Sequence, residues 1–285
     1  MQIIKPSVEL FGAVPTDYDS AIRFIEMAGR TCYKSEGKIT PDSAEKFVRK
    51  LIKAGHLAMV EHSNFVVRIP IINLPSYYSS PVGKFHKHYL DNEYLYIGGN
   101  LTAWFQSALS EGPEEVFDPF CEVYAELFEH GLDKIGKSNW QICPHDEIPK
   151  ELHRYSAKFI CDRGVSHELV RHRPCSFAQE STRYVNYAGK EMEFIEPLGF
   201  EGFEEEIRIR FMIACGEAEA AYNGLLQKGL KPQQARAVLP NALKTELVVT
   251  ADAAEWNHIR KLRTNKSAHP DMQRVMNMMP WEEFL

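Results

Sequence analysis

Fourteen consecutive residues concentrate the chemistry of this chain: Arg171-His172-Arg173-Pro174-Cys175-Ser176-Phe177-Ala178-Gln179-Glu180-Ser181-Thr182-Arg183-Tyr184. They place three arginines, a histidine and three small hydroxyl side chains in a chain whose formal net charge is −6. A solvated face would be built from lysine and glutamate, and a core would use neither. The planar arginine fork suits bidentate recognition of phosphate, and it also grips paired carbonyls of a nucleobase. Arg171 and Arg173 fall near the end of an expected helix and can point different ways, which suits two anionic ligands meeting at one place. After Pro174 the chain is expected to extend, so that Gln179, Ser181 and Arg183 share one face. An amide, a hydroxyl and a guanidinium in a row make a cradle for phosphate and sugar. The competing reading pairs these arginines with the 39 acidic residues of the chain. There is no GxxxxGK[ST] and no GxGxxG after a strand, so a nucleotide would bind without a P-loop or a dinucleotide fold. Ser181 has no base placed to activate it, so a hydrogen bond to ligand is its economical role. Cys175 reads either as a thiolate favoured by two arginines or as a buried structural thiol.

These residues need elements to hold them. Residues 8–14 read as a strand and 18–30 as an amphipathic helix. Residues 40–55 read as a helix with Thr40 as N-cap, Pro41 in its first turn and Gly55 past its end. A strand is expected over 63–71, within 153–164 and again near 243–250, and a helix over 165–173 capped by Ser166. The longest helix is expected at about 203–228, ended by Gly229. Asp252 and Glu255 have the form of a capping box and open a helix carrying Trp256, Ile259, Arg260 and Arg263. Residues 81–112 read as irregular to helical, 114–131 as helical and 132–150 as a polar loop. The expected organisation is one α+β domain over 1–285, with a central, mostly antiparallel sheet flanked by helices and a helical insertion at about 81–150.

Composition excludes several classes. With 44% hydrophobic residues the chain can build a core and is not disordered. The acidic balance argues against broad nucleic-acid or membrane-surface binding. The N-terminus lacks a signal-peptide pattern, and no apolar run is long enough to span a bilayer. The six cysteines form no CxxC pair, which points to reduced thiols and a cytoplasmic setting. His56, Glu61 and His62 match no standard metal spacing, so no metal is expected. His86 and His88 read as loop residues, and the Met-rich stretch 272–285 as core or subunit contact.

The motif Arg171-His172-Arg173, seven residues and then Ser181 resembles the signature of the flavin-dependent thymidylate synthases. The resemblance extends through DRGVSHELVRHRPCSFAQESTRYVNY, upstream to GHLAMVEHSNF at 55–65, and downstream to ARAVLP and KLRTNKSAHPDM. It implies a mixed α/β subunit assembled as a homotetramer, with FAD and dUMP bound at sites shared between subunits. It implies the conversion of dUMP to dTMP, with 5,10-methylenetetrahydrofolate as carbon donor and NADPH-reduced FAD as hydride source. It implies a dUMP site of Glu168, Leu169, Val170, Arg171, Gln179, Glu180, Ser181, Thr182, Arg183, Arg236 and Arg263. Arg263 is the implied catalytic residue, a fixed cation that stabilises a uracil anion and makes C5 more nucleophilic. The implied FAD site is Ala58, Glu61, Arg171, His172, Arg173, Gln179, Asp252, Ala254 and His258. No covalent enzyme nucleophile is needed.

The chain departs from the family pattern in places. Ala58 stands where a flavin-contacting hydroxyl is common. Gln179 stands where some members have Glu. Asp252, Ala254 and His258 stand where Asn, Arg and Asn are frequent, and Arg260 is a candidate to replace the missing cation. Two other functions remain open: a flavin-dependent methylase of UMP or a related pyrimidine nucleotide, and a nucleotide-binding module without chemistry.

Overall fold

The computed structural model describes residues 1–73, 86–108 and 141–283. The helix expected at 114–131 lies outside them, as does the first part of the 132–150 loop. The centre is a fully antiparallel four-stranded sheet in the order β2-β7-β10-β8, formed by Ser7–Ala13, Arg154–Asp162, Lys244–Asp252 and Ser176–Gln179. β7 and β10 pair over their whole length, from Lys244 opposite Asp162 to Asp252 opposite Arg154. Strand β10 is buried along nearly its entire run because helices cover both sheet faces.

On one face α1 (Tyr18–Tyr33) and α2 (Ala44–Lys53) pack Ile25, Ala28, Val48 and Leu51 against Ala178 and Val248. On the other face lie α4 (Arg163–Leu169), α7 (Ala253–Arg263) and α8 (Pro270–Met276), which bring Val165, Leu169, Trp256, Ile259 and Met272 onto Phe159, Leu247 and Val249. The Met-rich end of the chain is therefore core: Met272, Met276 and Met279 are buried there. The alternation of β10 feeds the two cores in turn, with Val248 on the α1 side and Leu247 and Val249 on the α4 side.

Each long central strand ends in an aspartate that starts a helix. Asp162 Oδ1 accepts from the amide of Val165 at 2.8 Å, and Asp252 Oδ1 from the amide of Glu255 at 3.0 Å. The first cap corrects the expected start of α4. Asp162, not Ser166, caps it, and the helix begins two residues earlier, while the Ser166 hydroxyl turns back to the carbonyl of Arg163. Because β7 and β10 are antiparallel, α4 and α7 start from opposite ends of the sheet and their C-terminal turns meet.

A second antiparallel sheet, β4-β5-β3-β6, uses Lys87–Leu90, Tyr94–Gly99, Phe65–Pro70 and Gln141–Ile142. Two of these strands fall inside the stretch read as irregular to helical, and among its described residues only α3 (Leu101–Ala108) is helical. The reason lies in the pairing: Phe65–Pro70 offers a complete antiparallel edge to Tyr94–Gly99, from Phe65 opposite Gly99 to Pro70 opposite Tyr94. The long helix α5 spans Glu205–Gln227, and α6 (Pro232–Ala235) follows it. A short parallel pair, β1 (Gln2–Ile4) with β9 (Glu193–Ile195), closes the edge beside α5.

Candidate active site

The meeting of α4 and α7 builds the most connected polar cluster near the arginine-rich stretch. Arg263, in the last turn of α7, donates from Nη1 to Glu168 Oε2 at 2.8 Å and from Nη2 to the Glu168 carbonyl at 3.0 Å. Its Nε donates to His172 Nε2 at 3.1 Å. His172 Nδ1 lies 3.1 Å from Glu255 Oε1, and the His258 ring stands edge-on 5.7 Å away. An arginine Nε–H can only donate, so His172 Nε2 accepts and its proton sits on Nδ1, facing Glu255. Burial lowers the pKa of His172, the Glu255 hydrogen bond opposes that, and Arg263 adds to the lowering. The imidazole is neutral near pH 7.

Gln179 ends β8 on the same sheet face. Its Nε2 donates to Ser166 Oγ at 2.8 Å and Thr245 Oγ1 at 3.2 Å. The expected run of Gln179, Ser181 and Arg183 along one strand face is not formed. Strand β8 stops at Gln179, the Ser181 amide donates to the Cys32 carbonyl, and the amides of Tyr184 and Val185 fold back on the Ser181 carbonyl. A tight turn therefore presents Ser181, Thr182 and Arg183, its Ser181 Oγ accepting from the Arg183 amide at 3.2 Å. Arg236 reaches this turn from the far side of the chain, donating to Thr182 Oγ1 at 3.1 Å.

One residue beside the turn escaped the sequence reading. Arg163, the first residue of α4, is half-buried, and its Nη1 lies 3.4 Å from Thr245 Oγ1. Burial depresses its pKa, Tyr187 and Glu180 oppose that, and nearby Arg236 adds to it. Arg163, Arg183 and Arg236 make no ion pair among the described residues, and two of them are close enough to repel. Guanidinium groups with no ion-paired carboxylate keep donors free for an anion. The signal available in sequence was DRG, an arginine directly after a capping aspartate, which read as part of a strand.

The other expected residues distribute as follows. Arg171, Arg173 and Val170 are exposed at the end of α4, and Leu169 is core, 1% exposed. Glu180 faces away from Arg263: it is 1% exposed, accepts from the Tyr187 hydroxyl at 2.7 Å and lies 3.5 Å from Lys244 Nζ. Asp252 caps α7 and pairs with Lys87 Nζ at 2.5 Å, and Ala254 and His258 are exposed on that helix. Arg260, the candidate to replace the missing cation at Ala254, is exposed, and its guanidinium lies over the Trp281 ring, 5.8 Å from the centroid. Ala58 and Glu61 belong to the α1–α2 side of the sheet. Burial raises the pKa of Glu61, and no hydrogen bond or ion pair among the described residues joins it to the Arg263 cluster. Cys175 is a structural thiol: burial pushes its pKa far up, against the pull of Arg154. His62 is buried, with Nδ1 2.8 Å from Thr250 Oγ1, and burial holds its pKa at about 3. His56 is hydrogen-bonded to the Tyr33 hydroxyl.

Residues 145–284 match the family model described as thymidylate synthase complementing protein. A flavin-dependent thymidylate synthase from Mycolicibacterium gilvum is 34% identical over 277 residues, covering 91% of this chain and 74% of that protein. The chain belongs to the flavin-dependent thymidylate synthase family. Another member, from Geobacter sulfurreducens, is 40% identical over 113 residues, covering 40% of this chain and 48% of that protein. The matched stretch is thus about half of that relative's length. Among solved structures, a UMP/dUMP methylase PolB from Streptomyces cacaoi bound with 5-Br dUMP aligns over 100% of this chain and 93% of that chain, at 16% identity and a TM-score of 0.45. The family-model match contains the whole Arg263 cluster, the Ser181–Arg183 turn and Arg236.

Proposed function

We propose that this chain is a flavin-dependent thymidylate synthase, a methyltransferase that converts dUMP to dTMP with 5,10-methylenetetrahydrofolate and NADPH. The observation that carries the reading is Arg263, clamped by Glu168 and His172 on the sheet face where Gln179 ends, with the arginines of the Ser181–Arg183 turn making no ion pair among the described residues. In this reading the nucleotide phosphate sits on the turn, held by Ser181, Arg183, Arg236 and Arg163. The uracil ring lies toward Arg263. Fixed positive charge there stabilises negative charge spread over N3 and O4 and makes C5 a better nucleophile. Glu168 holds the guanidinium rather than acting as a base, since its Oε2 already accepts from Arg263.

The residues present fit a flavin. Arg171 and Arg173 are exposed and make no ion pair among the described residues, which leaves charge for a cofactor diphosphate. Arg171, His172, Arg173, Gln179, Asp252, Ala254 and His258 would line that site from this face. Ala58 and Glu61 lie on the opposite face, which supports an assembly in which a second copy supplies them, a homotetramer with shared sites. FAD would supply hydride transfer, drawing electrons from NADPH. Three further parts belong to the same proposal: a single domain over 1–285, a cytoplasmic setting, and small-molecule partners with no nucleic acid or membrane. Among the described residues, no helix is long and apolar enough to cross a membrane.

The test is direct. Purified protein should carry flavin absorbance and form dTMP from dUMP when given methylenetetrahydrofolate and NADPH. A colourless protein that binds nucleotide without turnover, or one that methylates UMP in preference to dUMP, would overturn the reading.

A further inference from the structure

Glu255 has no part in the substrate and cofactor contacts described above, yet it sits one hydrogen bond behind the residue that fixes Arg263. Its carboxylate is 13% exposed, His172 is 5% exposed and Arg263 is 15% exposed, so the chain Glu255–His172–Arg263 is largely shielded from water. The link has a direction. Arg263 Nε–H requires a lone pair on His172 Nε2, and only the tautomer with its proton on Nδ1 offers one. A free imidazole populates both tautomers, and the wrong one would set an N–H against an N–H. Glu255 Oε1, 3.1 Å from Nδ1, accepts that proton's hydrogen bond and selects the right form.

We infer that Glu255 is a positioning residue for the synthase reaction: through the His172 tautomer it locks the guanidinium of Arg263 in its working orientation. This rests on the proposed reaction at the Arg263 site. The logic is that of a carboxylate orienting a histidine, with an arginine as the group finally placed. α7 carries both ends of the chain, Glu255 in its first turn and Arg263 in its last, and His172 bridges them from the end of α4. The groups facing His172 are Glu255, His258 and Arg263 from α7, with Glu168 behind Arg263 from α4.

The same atoms permit one rival. His172, Glu255 and His258 each bring a ligand atom to within 4.8 Å of the others, and three such groups can hold a metal ion. Metal on Nδ1 would leave the proton on Nε2, facing the Arg263 Nε–H. Metal on Nε2 would displace Arg263. Both nitrogens of His172 are already engaged.

The experiment uses flavin-loaded protein with three readouts: histidine tautomer by nitrogen NMR, the pH profile of kcat, and zinc binding. In the parent protein His172 should carry its proton on Nδ1. Glu255→Ala should mix the tautomers and lower kcat about tenfold, with the KM for dUMP changed less than about threefold. Glu255→Gln keeps an acceptor for Nδ1–H and should retain most of kcat. It loses the negative charge that raises the His172 pKa, so the acid limb of its profile should move to lower pH. Should the alanine variant not fold, the glutamine variant still decides through that limb. An Nε2–H tautomer in the parent, an unmoved acid limb in Glu255→Gln, or stoichiometric zinc bound by the parent and lost in Glu255→Gln would each overturn the inference. If no dTMP forms in the parent, the reaction assignment fails instead, and the tautomer measurement separates the two.

Discussion

At the scale of single residues, the arginines divide by their partners. Arg263 is the only one of the site's arginines whose nitrogens are spent on a carboxylate, a carbonyl and an imidazole among the described residues. That is how a protein fixes charge for use in a transition state rather than for grip. Arg263→Ala should lower kcat by about a hundredfold or more while flavin absorbance stays with the protein. Turnover that survives the change would remove Arg263 from its role. In the proposed reading Arg163 grips the phosphate: it is half-buried, its Nη1 lies 3.4 Å from the Thr245 hydroxyl, and Tyr187, Glu180 and Arg236 act on its charge. Replacing a charge-assisted bond to phosphate costs about 1.5–3 kcal/mol, so Arg163→Gln should raise the KM for dUMP about tenfold or more with little change in kcat. A steady-state comparison at low salt measures it, since screening would mask part of the effect. An unchanged KM would place the phosphate elsewhere.

At the scale of elements, the site is as firm as the joints that hold its helices. Asp252 is one such joint: a single carboxylate caps α7 and receives Lys87 from β4. Asp252→Ala should cost about 1 kcal/mol and lower Tm by about 2–4 °C in a thermal melt, and Asp252→Asn, still a good cap, should cost less. The second joint ties α1 to β10. Lys34, at the end of α1 with φ of 48°, pairs with Glu246, which also takes Lys158 at 2.6 Å and Lys244 at 2.7 Å. The Cys32 carbonyl, two residues before Lys34, holds the Ser181 amide, so this cluster underpins the Ser181–Arg183 turn. Burial would raise the pKa of Glu246, but hydrogen bonds from the three lysines win and hold it at about 2. A depressed carboxylate stabilises the fold above its ordinary value of 4.5 and loses that contribution as pH falls toward about 2. Glu246→Gln should therefore be less stable at neutral pH and show a flatter loss of stability across that window in denaturant titrations. A parallel acid limb in both proteins would show that the lysines do not hold the charge.

At the scale of the whole molecule, two observations favour the proposed assembly. Ala58 and Glu61 lie on the opposite sheet face from Arg171 and Arg173, and α5 leaves Ile207 and Ile213 about half exposed, at 50% and 54%. Apolar side chains on a 23-residue helix would serve as contact surface in the proposed symmetric assembly. Sedimentation should give a homotetramer. Ile213→Glu should dissociate it and, because the two halves of the cofactor site would then part, should weaken flavin binding in a fluorescence titration. A dissociated variant that binds flavin as tightly as the parent would show that one copy is sufficient.

Much of this was legible in the sequence where spacing is local. The caps at Asp252 and Gly229, the long helix and the strand entering α7 follow from residue types a few positions apart. The family followed from motifs whose chemistry is itself local: an arginine-histidine-arginine run, then a serine at fixed distance. Long-range pairing was not legible. Residues 87–99 carry no strong strand alternation; Tyr94–Gly99 becomes a strand because Phe65–Pro70 offers it an edge, and Lys87–Leu90 because Tyr94–Gly99 offers it the next one. The stretch after Pro174 could extend no further than its partner allowed, so Ser181 turns where the Cys32 carbonyl intercepts it. Composition could name a cradle for two anions, because arginine's fork has one geometry wherever it stands. It could not say which arginine grips and which is fixed, since that depends on what each guanidinium meets. Glu168 and Arg263 are 95 positions apart, and His172 and Glu255 are 83 apart. Only the antiparallel pairing of β7 and β10, which starts α4 and α7 from opposite ends of one sheet, brings those four side chains into a single hydrogen-bonded chain.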